Sequence, residues 1–200
     1  MENFIYLASQ SPRRRQLLEQ LGVRYELLLP DEEEDAEALE LALKNEAPAA
    51  YVKRVTGLKL DAAVARLARR HLPQAPILCS DTTVALGRAI YGKPGDVEDA
   101  QRMLSELSGR THRVLTAVAL QHGDRRLNAL SASRVSFAAM TDDQIQGYVA
   151  TGEPLGKAGA YAIQGRIAMH VTRINGSYSC IMGLPLRETA SLLQAVGFSI

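Results

Sequence analysis

The sequence predicts a mixed α/β sheet bent into two lobes with a cleft between them. Three observations predict it: strand-like runs alternate with amphipathic helices in the first half, alternating strands form a central meander, and polar residues recur where apolar runs stop. With 200 residues and 46% hydrophobic content, the chain can bury one substantial core or a core divided between two small lobes, and one domain over 1–200 is expected.

Phe4 to Ala8 reads as a buried strand, followed by a helix from Pro12 with Leu17, Leu18 and Leu21 on one face and Gly22 as its terminator. Arg24 to Leu29 resembles a second strand. An acidic, alanine-rich stretch from Asp31 to Ala50 is expected to be a flexible or partly helical excursion. From Pro48 the spacing of Tyr51, Val52, Val55, Leu58 and Ala62 predicts a long helix ending near Arg70, and Ile77-Leu78-Cys79 begins the next strand. A short loop carries Gly92-Lys93-Pro94. Ala100, Met103, Leu104 and Leu107 mark another helix, closed by Ser108-Gly109. His112 to Gln121 alternates like a strand, Gly123-Asp124 supplies a turn, and segments around Leu127–Leu130 and Arg134–Phe137 complete an antiparallel meander. Thr141 caps a helix carrying Ile145, Tyr148 and Val149, and two glycine-rich stretches precede a terminal helix from about Leu186 to Val196.

Lys plus Arg total 23 against 22 Asp plus Glu, so the chain lacks the basic excess of a protein that coats nucleic acid, and its cations must act locally. No apolar run approaches the roughly 20 residues needed to span a bilayer, and Met1-Glu2-Asn3 has no basic n-region, so a soluble cytoplasmic protein without a membrane partner is expected. Cys79 and Cys180 form no CxxC pair and the four histidines lack i,i+4 spacing, which argues against zinc. Any metal would be a hard cation such as magnesium or manganese, held by carboxylates and phosphates.

The junction Ser9-Gln10-Ser11-Pro12-Arg13-Arg14 sits where a strand stops and a helix starts. Unpaired N–H groups there, with two hydroxyls and an arginine cluster, suit a phosphate; a capped surface helix with solvated arginines fits the same residues. Other polar groups at element ends are Glu34, Lys59, Asp81 with Thr82, Lys93, Lys157 and Gln164. Several cations and a few carboxylates together suit a polyphosphate whose charge is shared with a divalent metal. Asp81 follows an apolar run and so falls at a strand end, where α/β sites lie. Lys93 lies in a constrained loop, whereas Lys59 on its helix is by default solvated. Gln164 among glycines fits either a tight turn or recognition of a nucleobase edge. The chain contains no P-loop, GxGxxG or GxSxG motif.

The chain resembles the Maf family of nucleoside triphosphate pyrophosphatases. The resemblance rests on Leu7-Ala8-Ser9-Gln10-Ser11-Pro12-Arg13-Arg14, Ser80-Asp81-Thr82-Thr83-Val84, Gly92-Lys93-Pro94, Ser108-Gly109-Arg110-Thr111-His112, Glu153-Pro154 through Gly165, and Asn175-Gly176-Ser177-Tyr178 with Gly183-Leu184-Pro185. It implies a Maf-like (ITPase-like) elongated α/β fold and a metal-dependent hydrolase that converts a nucleoside triphosphate to the monophosphate and pyrophosphate, commonly as a homodimer. By the same resemblance Ser9, Arg13 and Arg14 match a phosphate-binding motif, Asp81 the proton acceptor, Lys93 a phosphate-side lysine and Lys59 the helix lysine. Glu34 and Asp81 would hold the metal, although the acidic run leaves Glu33 as an alternative to Glu34. The Tyr161-Ala162-Ile163-Gln164-Gly165 segment resembles the subfamily acting on dTTP and UTP rather than 7-methyl-GTP, with Arg13, Thr82 and Gln164 as specificity positions. The family is also linked to septum inhibition, so a nucleotide-binding regulator of cell division is one alternative reading, and a pyrophosphatase for damaged or modified nucleotides, including 7-methyl-GTP, is the other. The Asp35–Pro48 stretch looks longer than the family norm.

Overall fold

The computed structural model describes residues 4–31, 34 and 38–200. Within them lies one seven-stranded mixed sheet. Three parallel strands, β1 (Ile5–Leu7), β2 (Tyr25–Leu27) and β3 (Ile77–Leu86), form one end in the order β2-β1-β3. The sheet continues antiparallel through β5 (Thr111–His122), β6 (Arg125–Phe137) and β7 (Val171–Asn175), and the short β4 (Ala89–Tyr91) turns back onto the end of β3.

Side chains of β3 alternate between two faces, as a strand requires. Ile77, Cys79 and Ala85 pack under α2 (Pro48–Arg69) with Leu60, Ala63 and Val55. Leu78 and Val84 join the larger core on the opposite face, built with Leu17 and Leu18 of α1 (Pro12–Gln20), Leu104 and Leu107 of α3 (Val97–Leu107), and Ile145 of α4 (Asp142–Val149). Ile181 of α5 (Tyr178–Met182) and Leu193 of α6 (Leu186–Ala195) complete that core. Burying each leucine, isoleucine or valine among them stabilises the fold by about 1.5–3 kcal/mol.

Most expected elements form, with Pro opening α1 and α2 and a Thr141–Gln144 capping box opening α4. Three differences are physical. The region of β6 expected as two segments is one continuous strand, because twelve residues of it pair without interruption against β5. β4 forms just before the expected Gly92-Lys93-Pro94 loop, and β7 between the two glycine-rich stretches, where no element was expected; each is held by pairing to a longer strand. The five-residue α5 is capped by Ser177 Oγ accepting from Cys180 N at 3.2 Å and ends at Gly183, whose φ of 113° a side chain would strain. Of the acidic stretch, Glu32, Glu33 and Asp35 to Glu37 lie outside the described residues; Ala38–Glu40 forms a short 3₁₀ turn. Among the described residues no helix is long and apolar enough to cross a membrane.

Two contacts fix the loops around the sheet. Gly159 has φ 68°, and a Cβ there would lie 2.8 Å from Val84 Cγ2, so only glycine lets this loop lie on β3. Arg66, buried on α2, donates to Leu28 O at 2.9 Å and, through Nε and Nη2, to both oxygens of Glu34 at 3.0 and 2.5 Å. That fork and a further bond from Arg69 hold the Glu34 carboxyl down to about 2.

Gly159→Ala should lose about 1–3 kcal/mol of stability in urea denaturation, and, relative to Val84→Ala alone, adding Gly159→Ala should cost less, because the two Val84 methyls are gone while its Cβ contact at 2.9 Å and the dihedral strain remain. An equal loss with and without Val84 would show that the close approach is not limiting. The Glu34 pair predicts an acid limb. A carboxyl held low in the folded state contributes stability that is whole above its ordinary value of 4.5 and is lost as pH falls towards 2. Glu34→Gln should therefore flatten the melting-temperature profile between those limits, and a profile parallel to the parent's would refute the assignment.

Candidate active site

Between β1 and β4 the outer edge of β3 has no strand beside it among the described residues. β1 pairs with β3 as far as Leu78 and β4 pairs from Val84 onward, while β5 covers the other edge throughout. The segment Ser80-Asp81-Thr82-Thr83 therefore forms the floor of an opening in the sheet, at the carboxyl end of β1. A cleft of about 710 Å³ occupies this opening. Its lining gathers Ser9, Arg13, Arg14, Glu34, Lys59, Asp81, Thr82, Lys93 and Gln164, residues drawn from most of the chain's length.

Strand alternation divides the floor. Ser80 and Thr82 face α1 and α5, where Arg14 donates through Nε to Gly183 O at 2.8 Å and through Nη1 to Ser9 Oγ at 3.3 Å. Thr82 Oγ1 lies 3.5 Å from Arg14 Nη2 and 2.9 Å from Thr116 Oγ1. Ser9 Oγ also accepts from Ser11 N at 3.2 Å, which shapes the entry to α1. Neither Arg13 nor Arg14 has a carboxylate partner among the described residues. Burial pushes both guanidinium groups below their ordinary value, with Arg14 adding to the effect on Arg13 and Asp81 and Glu40 opposing it at Arg14. Burial, and then Arg13, lowers Lys157 as well. Three cations thus crowd one wall with no carboxylate ion-paired to them among the described residues, although Asp81 and Glu40 act on Arg14, and Glu153 on Lys157, from a distance.

Asp81 faces the other way, towards α2, and is only 6% exposed. Lys59 Nζ donates to Asp81 Oδ1 at 2.5 Å and to Glu40 Oε1 at 2.7 Å, and Lys93 Nζ lies 3.1 Å from Glu40 Oε2. The result is an alternating row, Asp81–Lys59–Glu40–Lys93, assembled from β3, α2, the 3₁₀ turn and the loop after β4. Burial alone would raise the Glu40 carboxyl, but Lys59 and then Lys93 outweigh it and hold it below its ordinary value. Tyr51 Oη donates to Glu40 O at 2.8 Å; burial, then Asp81 and Glu40, push its phenol up to about 12. Arg54 secures the same segment by donating to Leu41 O at 2.8 Å and to Glu46 at 2.7 Å.

Glu34 lines the cleft, yet its carboxylate is bonded to Arg66 and Arg69, and the second carboxylate beside Lys59 is Glu40. Glu33 lies outside the described residues. Among the described residues no three His, Cys, Asp or Glu side chains form a metal cage. Asp81 and Glu40 are hard oxygen donors already sharing one cation, the Lys59 ammonium. Such a donor set suits a divalent ion bound partly through a ligand's own oxygens. Cys79 and Cys180 are both free and buried.

Gln164 stands on the cleft wall at the tip of a turn closed by Gly165 N donating to Ala162 O at 2.8 Å. Sequence reasoning passed over Glu40, which is one acid in an acidic run until the fold sets it against two lysines. Lys157 was visible as a polar residue at an element end but carried no role. Cations on two sides, a buried acid between them and an exposed amide at one end fit a phosphorylated ligand with a polar ring.

The sequence matches the family described as Maf-like protein over residues 4–196. A dTTP/UTP pyrophosphatase of Albidiferax ferrireducens is 69% identical over 200 residues, covering 100% of both chains. The proteins of the same name from Polaromonas sp. and Cupriavidus pinatubonensis are 68% and 64% identical; the alignments cover 99% and 97% of this chain and 98% and 97% of theirs. Among solved structures, the Staphylococcus aureus Ham1 protein superposes with a TM-score of 0.46 at 14% identity over 97% of either chain, a likeness too slight to carry an argument. A family match over almost the whole length, joined by relatives this similar from end to end, means that the chain belongs to the Maf family.

Proposed function

We propose that the protein, as one domain over 1–200, is a nucleoside triphosphate pyrophosphatase that hydrolyses dTTP and UTP to the monophosphate and pyrophosphate. Its full-length relatives carry that name. The observation that carries the reading is the meeting, in one cleft, of a buried acid with cations that no described carboxylate ion-pairs. Arg13, Arg14 and Lys157 have excess positive charge for a polyphosphate, while Asp81 is held 2.5 Å from Lys59 on the opposite face of the same strand. Binding alone would need the cations and not the acid.

In this mechanism the triphosphate enters along α1, where the guanidinium groups and the first N–H groups of the helix take its oxygens. Its negative charge competes with Glu40 for Lys59 and Lys93. Asp81, oriented by Lys59, accepts a proton from the attacking water, the anhydride bond between the α- and β-phosphates breaks, and pyrophosphate leaves against the cations. Asp81 with Glu40 would hold a divalent cation such as magnesium or manganese, which supplies charge neutralisation on the phosphates when bound, whereas both oxygens of Glu34, the acid expected from the sequence, are bonded to Arg66 and Arg69. Ser9 and Thr82 fix the arginine wall, and Gln164 reads the base: its carbonyl accepts from the ring N3–H while its amide donates to a ring carbonyl. Two free buried thiols and a nucleotide substrate support a cytoplasmic protein, and the family resemblance supports a homodimer.

A panel of dTTP, UTP, dCTP, ATP and 7-methyl-GTP with magnesium, read separately for pyrophosphate and orthophosphate, tests the reaction. Pyrophosphate from dTTP and UTP with the highest kcat/KM is expected; orthophosphate as the first product, or 7-methyl-GTP as the best substrate, would overturn it. Asp81→Asn should cut kcat by about 10²–10⁴ with nucleotide affinity little changed, and near-parental turnover in a folded variant removes Asp81 from the chemistry. Glu40→Gln should raise the magnesium concentration needed for half-maximal turnover of dTTP about two- to fivefold, because an amide is a weaker donor to a hard cation than a carboxylate. An unchanged magnesium requirement would leave Glu40 as a partner of the two lysines alone.

A further inference from the structure

The turn that presents Gln164 is tied down on its buried side by two side chains that face away from the cleft floor. Tyr148, buried on α4, donates through Oη to Glu153 Oε1 at 2.6 Å and accepts from Ala162 N at 3.3 Å. The other Glu153 oxygen accepts from Arg166 N at 3.2 Å. Between those anchors the carboxylate lies against the backbone of Gly165, where an added Cβ would fall 2.0 Å from Oε1. Ala162, Gly165 and Arg166 bracket Gln164, so one carboxylate and one phenol set the position of the turn on both sides of the amide.

Glu153 is itself held. Its N–H donates to Thr151 Oγ1 at 3.2 Å, and that hydroxyl donates to Tyr148 O at 2.6 Å, locking the segment to the end of α4. Burial, and then the bond to Glu153, pushes the Tyr148 phenol above its ordinary range, which keeps it a donor to the carboxylate at neutral pH. On the far side, Tyr161 Oη pairs with His112 Nε2 at 2.8 Å. Ala162 and Ile163 are buried and Gln164 is exposed, so the clamp aims one polar side chain of this turn at the cleft.

We propose that Glu153, acting with Tyr148, is a positioning residue for base selection: it touches no substrate and sets the place of Gln164. An amide distinguishes two bases by matching a donor and an acceptor at once, and a misplacement of about 1 Å forfeits the match even when the amide is present. The inference rests on the reading that Gln164 recognises the pyrimidine edge.

The test compares kcat/KM for dTTP and dCTP, which share sugar and triphosphate and differ at the ring edge that Gln164 would read and in the C5 methyl of thymine, a difference that dUTP in place of dTTP removes. Glu153→Ala should lower the dTTP value about tenfold while the dCTP value stays within about twofold. Glu153→Gln, which keeps the volume but replaces one acceptor by a donor, should fall between. Gln164→Ala should lower the dTTP-to-dCTP ratio similarly, and the Glu153→Ala/Gln164→Ala double variant should be no worse than Gln164→Ala, since a residue acting through another adds nothing once that residue is gone. Equal losses for both nucleotides, or additive losses in the double variant, would overturn the inference. If Glu153→Ala does not fold by circular dichroism, Tyr148→Phe, which deletes the bridging hydroxyl alone, takes its place under the same criteria. A ratio unmoved by Gln164→Ala would refute the base reading itself, whereas a ratio moved by Gln164→Ala and unmoved by Glu153→Ala would refute the clamp alone.

Discussion

The site depends on an interruption in the sheet. β3 is hydrogen-bonded to β5 along its inner edge, but its outer edge passes from β1 to β4 with an unpaired stretch between them. The same interruption gives a ligand access to both faces of one strand. Arg14 works on the face of Ser80 and Thr82, and Lys59 pairs with Asp81 on the other, so the arginine wall and the acid reach the cleft without pairing directly.

Charge balance follows from that geometry. The arginine wall carries a local excess that burial makes unfavourable, and a phosphate anion relieves it. The α2 wall is balanced internally, with Glu40 between two lysines and Lys59 between two acids. One wall is therefore prepared to receive negative charge, and the other exchanges an internal anion for an external one. A chain with an overall charge of +1 concentrates its cations where they are useful without becoming a general binder of polyanions.

Much of this was legible in the chain. The Pro12 and Pro48 helix starts, the β5–β6 hairpin at Gly123-Asp124 and the terminal helix follow from local periodicity and turn chemistry, which act over a few residues. β4 and β7 were not legible because they are strands only by virtue of their partners, and α5 because five residues are too few to show a period. Motif residues such as Ser9, Asp81 and Lys93 could be picked out by type and place, and the structure puts them in one cleft. Glu40 could not be picked out. Its significance arises when a turn anchored by Tyr51 brings it to lysines 19 and 53 residues away.

By itself the sequence determined the class of the fold, the family and the residue types that chemistry on a polyphosphate requires, because these reside in periodicity, motif spacing and composition. The tertiary structure alone decided which acid meets which cation. Glu34 turned to Arg66, Glu40 to Lys59 and Lys93, and Glu153 beneath the Gln164 turn are outcomes of long-range packing, since an ion pair or a buried hydrogen bond is specified by three-dimensional distance and not by separation along the chain.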